Sequence, residues 1–256
     1  MTGLSGIRAV AGFQLRRLLT PQRLLLAAVG AAFPAAVVLA VRRIAGPLDA
    51  DIAAVLLYML VPEAVCMLGL LVTMCPCVAD ELERGTWPHV CTRPGGRRAL
   101  LLGTYLAAVT WTFAVAVAAL AVTLAAARGA APGRLAAVIA PLALLSCLGR
   151  GALFALPAVV VPKRALVASV AAGLVVEYLA GFLPAIVNQF TVSLRLRSLL
   201  VSWMGWLDKL PVEMDLLVDS RPTWMQVAAV GLLAAALLVS AVVILERRQF
   251  PPAEES

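Results

Sequence analysis

Three ionisable residues lie where ionisable residues are rare. Glu63, Arg150 and Glu177 fall near the middle of runs built almost entirely of Ala, Leu, Val and Ile. Each costs about 2.5–3.5 kcal/mol at the centre of a bilayer, so none should face lipid. The chemistry open to them is ion pairing. Arg150 can pair with Glu63 or with Glu177 inside a helix bundle, the leftover carboxylate facing a translocation path. A purely structural ion pair uses the same residues, and sequence leaves both readings open. Sulfur supplies a second set. Cys75-Pro76-Cys77 follows Met59, Cys66, Met67 and Met74, which recur at spacings of seven or eight and so share a helix face. Thiolates and thioethers suit Cu(I), although sulfur side chains are also ordinary packing material. His89 is the only histidine. One histidine cannot make an H-E-x-x-H zinc site, and no G-x-S-x-G nucleophile elbow occurs, which argues against an intramembrane hydrolase.

The elements that must position these residues follow from composition. Of 256 residues, 62% are hydrophobic and 14% charged, against about 45–50% and about 25% in soluble domains. The excess lies in runs long enough to supply the ~20 apolar residues that cross a bilayer. In hydrocarbon the backbone must satisfy itself, so each run is helical. Six spans are expected: Leu24–Val41, Ile52–Val78, Ala99–Ala127, Leu135–Val161, Ala165–Val187 and Trp224–Leu245. The chain reads as an all-α polytopic membrane protein, one transmembrane domain over residues 1–256, with no stretch able to fold as a soluble catalytic domain. Residues 1–23 carry four arginines and a stripe of Leu4, Ile7, Ala11, Leu15 and Leu18. They read as a basic amphipathic helix on the membrane surface, not as a signal peptide, because the following apolar run exceeds the usual 7–15 residues. The five cysteines lie in or beside the spans, so no disulfide framework is expected.

A net charge of +7 raises the question of nucleic acid. In a membrane chain the better reading is topological, since Lys and Arg collect on the cytoplasmic side. With the N-terminus inside, twelve of the 21 Lys and Arg fall in cytoplasmic segments and eight outside. Both termini are therefore expected in the cytoplasm, in a multi-pass protein of the inner (plasma) membrane, with lipid and not nucleic acid as its surroundings.

This orientation places residues 79–98 in the cytoplasm. The stretch "ELERGTWPHVCTRPGGRRALLLG", Glu81 to Gly103, is the longest in the chain dense in charge, glycine and proline. Gly85 permits a sharp turn. Thr86 is a good N-cap, and Pro88 is acceptable in a first turn. Pro94-Gly95-Gly96 ends any helix. What remains is Trp87–Arg93, a short helix of roughly 10 Å, too short to cross and flanked by acidic residues on one side and Arg97 and Arg98 on the other.

The segment resembles the first cytoplasmic loop of the ATP-binding cassette (ABC) type-2 permease family. There an acidic patch precedes Gly-Thr, a short helix, a Pro, a basic pair and a Leu-rich helix. Here Glu81, Glu83, Gly85, Thr86, Pro94, Arg97, Arg98, Leu101, Leu102 and Gly103 occur in that order. The plan of a surface helix, six spans and a long outer loop between spans five and six is similar over the whole chain. Departures from the family pattern are Pro88 within the short helix, Gly95-Gly96 where Val/Ile-Ser is usual, and Thr104 where Lys is usual.

The resemblance implies the membrane half of an ATP-driven exporter, with a coupling helix seated on a separate cytoplasmic ABC ATPase. Glu81, Glu83, Arg84, Gly85, Thr86, Trp87, His89, Arg93, Pro94, Arg97 and Arg98 would form that docking segment. ATP and Mg would be bound by the partner. This agrees with the lack of a G-x-x-x-x-G-K-[ST] phosphate loop in the chain. The family also implies two permease halves, as a homodimer or with a relative. It implies re-entrant helices in the outer loop, residues 188–222. Leu196, Leu199, Leu200, Trp203, Met204 and Leu207 recur there at helical spacing, Pro211 would divide two helices, and Trp203, Trp206 and Trp224 suit an interface belt. A surface-lying amphipathic segment fits the same residues. An amphiphilic cargo would suit a path lined by Ala, Leu and Val. Two alternatives stand beside this reading. One is a non-transporting assembly or sensor protein. The other is copper handling, because Cys75-Pro76-Cys77 is similar to the intramembrane metal site of heavy-metal-pumping P-type ATPases. Their Asp-Lys-Thr-Gly motif is missing here, and the pair falls at the cytoplasmic end of its span.

Overall fold

The computed structural model describes residues 3–127, 131–179, 191–206 and 221–248. Every regular element among them is helical. In chain order they are α1 (Gly3–Leu18), α2 (Pro21–Ala45), α3 (Ala50–Glu83), α4 (Trp87–Cys91), α5 (Gly96–Ala127), α6 (Pro132–Val160), α7 (Ala165–Gly173, continuing as a wider π-turn over Leu174–Leu179), α8 (Val192–Met204) and α9 (Thr223–Arg247). Five of these, α2, α3, α5, α6 and α9, are long and apolar enough to cross a membrane. The protein is a multi-pass membrane-embedded helical bundle. The expected fifth span, Ala165–Val187, is represented by α7, and its residues 180–187 lie outside the described residues.

The two outermost spans, α2 and α9, bury only 17% of their most apolar windows, whereas α6 buries 67% and is the centre of the bundle. Around α6 pack α3, α5, α7, α8 and α9. Small residues permit the closest approaches, as is general where helices meet without a hydrophobic drive between them. A Cβ on Gly149 of α6 would sit 2.9 Å from Val192 Cγ2 of α8, and one on Gly103 of α5 would sit 2.7 Å from Val10 of α1. α1 therefore lies against the start of α5. Leu18 is buried, while Leu4 is 71% exposed, so the inner part of the apolar stripe is packed on protein and its beginning is not.

Proline sets the irregularities of α3. Pro62 cannot donate a backbone hydrogen bond, and around it Met59–Val65 widens into a π-turn. The Cys66 amide bonds the Val61 and Glu63 carbonyls and skips that of Pro62. Further on, Pro76 tightens Cys75–Cys77 into a single 3₁₀ turn.

Polar contacts close the bundle at both ends. At one end Arg17 of α1 pairs with Asp80 at 2.7 Å and approaches Glu81 at 3.7 Å, and Arg98 meets Glu246. At the other, Arg42 donates to the last carbonyls of α5, Ala126 and Ala127. There Trp206 Nε1 donates to Asp51 at 2.9 Å, and Arg134 to the Met204 carbonyl at 3.0 Å.

Candidate functional site

The three mid-span charges meet in one cluster. Arg150 of α6 has no exposed surface and spreads its guanidinium among four elements. Nη1 donates to the Pro62 carbonyl at 2.7 Å and to Ser146 Oγ at 3.0 Å. Nη2 donates to the Glu63 carboxylate and to Ser193 Oγ at 3.0 Å, and lies 3.6 Å from Glu177 Oε2. The carbonyl that the π-turn sets free is thus claimed by the buried cation, with Ser146 Oγ as a second donor at 2.7 Å. Tyr58 completes the Glu63 side, its hydroxyl donating to Oε1 at 2.7 Å.

Glu177 has a second task. Its two oxygens accept the Val192 amide at 3.1 Å, the Ser193 amide at 2.9 Å and the Ser193 hydroxyl. Thr191 Oγ1 accepts the Leu194 amide at 3.3 Å. These are the first amides of α8, which no helical carbonyl can satisfy. A carboxylate there also matches the partial positive charge of the helix start. A helix that begins inside the bundle can exist only if such groups are paired.

Arg150 therefore contacts both carboxylates. No carboxylate of the trio is left over, because Glu63 is 5% and Glu177 1% exposed and each holds donors of its own. Sequence reasoning missed Tyr58, Ser146, Ser193 and the Pro62 carbonyl. Ser146 was within reach, being one helical turn before Arg150 on the same face. The others depend on tertiary approach.

Part of the expected outer loop is inside the protein. Most of α8 is buried, including Leu196, Leu199, Leu200 and Met204. Arg195 is 7% exposed and bonds Gln226 of α9 at 2.8 Å. The surface-lying alternative for this stretch does not fit that burial. Leu207 and Pro211 lie outside the described residues.

The charged segment forms the opposite kind of site, open to solvent. Gly85 takes φ +67° and Gly95 φ +71°, and between these turns stands α4, two residues shorter than the expected Trp87–Arg93. Thr86 does not cap it. Its backbone is already helical, and its hydroxyl donates to the Glu81 carboxylate, which is stronger than a neutral partner. Trp87 is buried and faces Arg97, whose guanidinium carbon lies 5.8 Å from the ring centroid. Arg97 also donates to the Leu245, Glu246 and Arg248 carbonyls at 3.2, 2.9 and 3.1 Å, closing the C-terminus of α9. Glu83, Arg84, Pro88, His89, Arg93, Pro94 and Arg98 are exposed. The segment is thus anchored by Glu81, Trp87 and Arg97 and presents the rest outward.

The sulfur pair does not converge. Cys75 is directed toward Ser169 of α7 and Cys77 toward Thr104 of α5. Among the described residues no three His, Cys, Asp or Glu side chains are grouped to hold a metal ion.

No protein-family model matches the chain, and neither the curated proteins nor the solved structures include a match to it.

Proposed function

We propose that the chain is the transmembrane subunit of a type-2 ABC exporter, driven by an ATPase carried on a separate polypeptide. The observation that carries this reading is the mounting of α4. A five-residue helix stands at the junction of α3 and α5 with Pro88, His89 and Arg93 turned outward. It is coupled through Arg97 to the end of α9, and the acidic run that precedes it is held by Arg17 of α1. A push on α4 is therefore felt by four helices together, which a lever between an ATPase and a membrane bundle requires. On this reading ATP and Mg belong to the partner, two permease halves assemble, and the α4 end faces the cytoplasm with both termini. Six crossings result once Ala165–Val187 is counted. α8 acts as a re-entrant element at the outer side, and the Arg150 cluster is the lock that holds its buried start.

The test is co-purification in mild detergent with a phosphate-loop protein sought in the neighbouring reading frames. We expect a stable complex whose ATP hydrolysis changes when the permease is present, and loss of that complex on His89→Glu with Arg93→Glu, since both side chains are exposed and support no internal contact. Failure of the native chain to capture the ATPase, or equal capture by the charge-reversed variant, refutes the reading. The copper alternative gains no support from the divergent Cys75 and Cys77.

A further inference from the structure

The groove between α2, α3 and α5 is built unlike the rest of the lipid-facing surface. It contains a cavity of about 390 Å³ walled by Leu26, Gly30, Phe33, Leu68, Val72 and Trp111. A second pocket, polar in part and only about 20 Å³, lies against it, and the two share Leu18, Arg23 and Thr73. Gln14, Arg17 and Asp80 line the polar one. Arg17 is committed to Asp80 at 2.7 Å. Arg23 holds no carboxylate and no hydrogen bond among the described residues, and it sits where the apolar chamber and the polar pocket join.

One buried hydroxyl points to a ligand independently. Threonine in a membrane helix ordinarily donates to the carbonyl one turn back, as Thr110 does to Leu106 and Thr123 to Ala119. Thr112, on the same helix, does not. Thr112 is 1% exposed, and its Oγ1 has no partner among the described residues. It lines the apolar chamber.

We infer that this groove binds one anionic glycerophospholipid, its acidic head at Arg23 and one acyl chain in the chamber past Thr112. A cation at the mouth, a donor in one wall and an apolar chamber fit a molecule with an acidic head, an acceptor oxygen below it and a hydrocarbon tail. The groove is open to the bilayer, with Leu26, Phe33, Leu68 and Val72 about half exposed or more, so an acyl chain can enter it from the side. Arg23 at its mouth, unpaired among the described residues, suits an acidic head better than the apolar flank of a second copy. The site is independent of any partnership with an ATPase.

Trp111 in the chamber wall reports on it. The purified full chain is placed in nanodiscs of phosphatidylcholine doped with a minor fraction of dibrominated phosphatidylglycerol or, separately, dibrominated phosphatidylcholine. The signal is the quenching lost on Trp111→Phe. Several-fold stronger quenching by the glycerol lipid is expected. Arg23→Gln should abolish that preference, and Arg23→Lys should keep it. Gly30→Leu, whose Cβ meets no atom within 4 Å and whose side chain would project into the chamber, should lower quenching by both lipids. Equal quenching by the two lipids in the native chain, or a preference that survives Arg23→Gln, overturns the site. So does shielding of Trp111 from both lipids together with cross-linking of Phe33→Cys between copies, which would show a second copy in the groove. Retention of helix content by circular dichroism confirms that each variant is folded.

Discussion

Arg150 is the residue on which the interior depends. With Glu63 and Glu177 beside it, a cation stands between two carboxylates that hydrocarbon would otherwise reject. Removing one partner of a buried pair costs about 3–5 kcal/mol, because the other charge is left uncompensated. Arg150→Leu leaves two such charges, so the loss should reach or exceed that range in detergent unfolding. Glu63→Gln keeps an acceptor oxygen for Arg150, presents an amide N–H to the Tyr58 oxygen and leaves Glu177 to balance the charge, so it should cost about 1 kcal/mol, in the range of an ordinary hydrogen bond. Similar losses for the two variants would mean that the cluster is not organised around Arg150. The cost of burying charge made the three residues legible in the sequence. Their partners were not legible, because Tyr58 and Ser193 look like any membrane tyrosine and serine until helices are placed side by side.

At the scale of elements, α8 shows how a helix can begin inside a membrane protein. Its first amides go to Glu177 and Thr191, and its flank rests on the bare backbone of Gly149. Gly149→Leu would drive a side chain into the space of Val192 and lift α8 from α6. Ser198 is 2% exposed, so a cysteine there should resist an impermeant maleimide in the parent chain and react once Gly149 is enlarged. An unreactive Ser198→Cys in both backgrounds would show that the glycine is not the seat of the contact. By the same argument Gly103→Leu should free α1 from α5 and expose the Leu18–Thr20 junction to protease. The long spans could be read in advance because length and hydropathy are properties of the run itself. α8 could not be assigned in the same way. Its leucines marked a helix, but Arg195 and Arg197 also suited an outer loop, and only the approach of Gln226 to Arg195 decides that the stretch is buried. The π-turn at Pro62 was equally hidden, since a proline in a membrane helix is compatible with a kink, a π-turn or neither.

For the whole molecule, the decisive property is that its two ends differ. One end gathers α4, the Arg17–Asp80 pair and the Arg97–Arg98 clamp on the last turn of α9. The other holds Arg42 on the end of α5 and Trp206 on Asp51. Because α2 runs from the first end to the second, the exposed positions His89 and Ile44, the latter 88% exposed, must lie on opposite faces of any membrane that the bundle spans. The proposed orientation goes further and puts His89 inside. Excess Lys and Arg favour the cytoplasmic side, and the α4 end carries the larger share. Ile44→Cys should therefore react with an impermeant maleimide added to intact cells, whereas His89→Cys should react only after the membrane is opened. The reverse pattern would leave the bundle intact but turn α4 away from every cytoplasmic engine, ending the exporter reading. Reaction of both cysteines from one face would contradict the crossing by α2 itself.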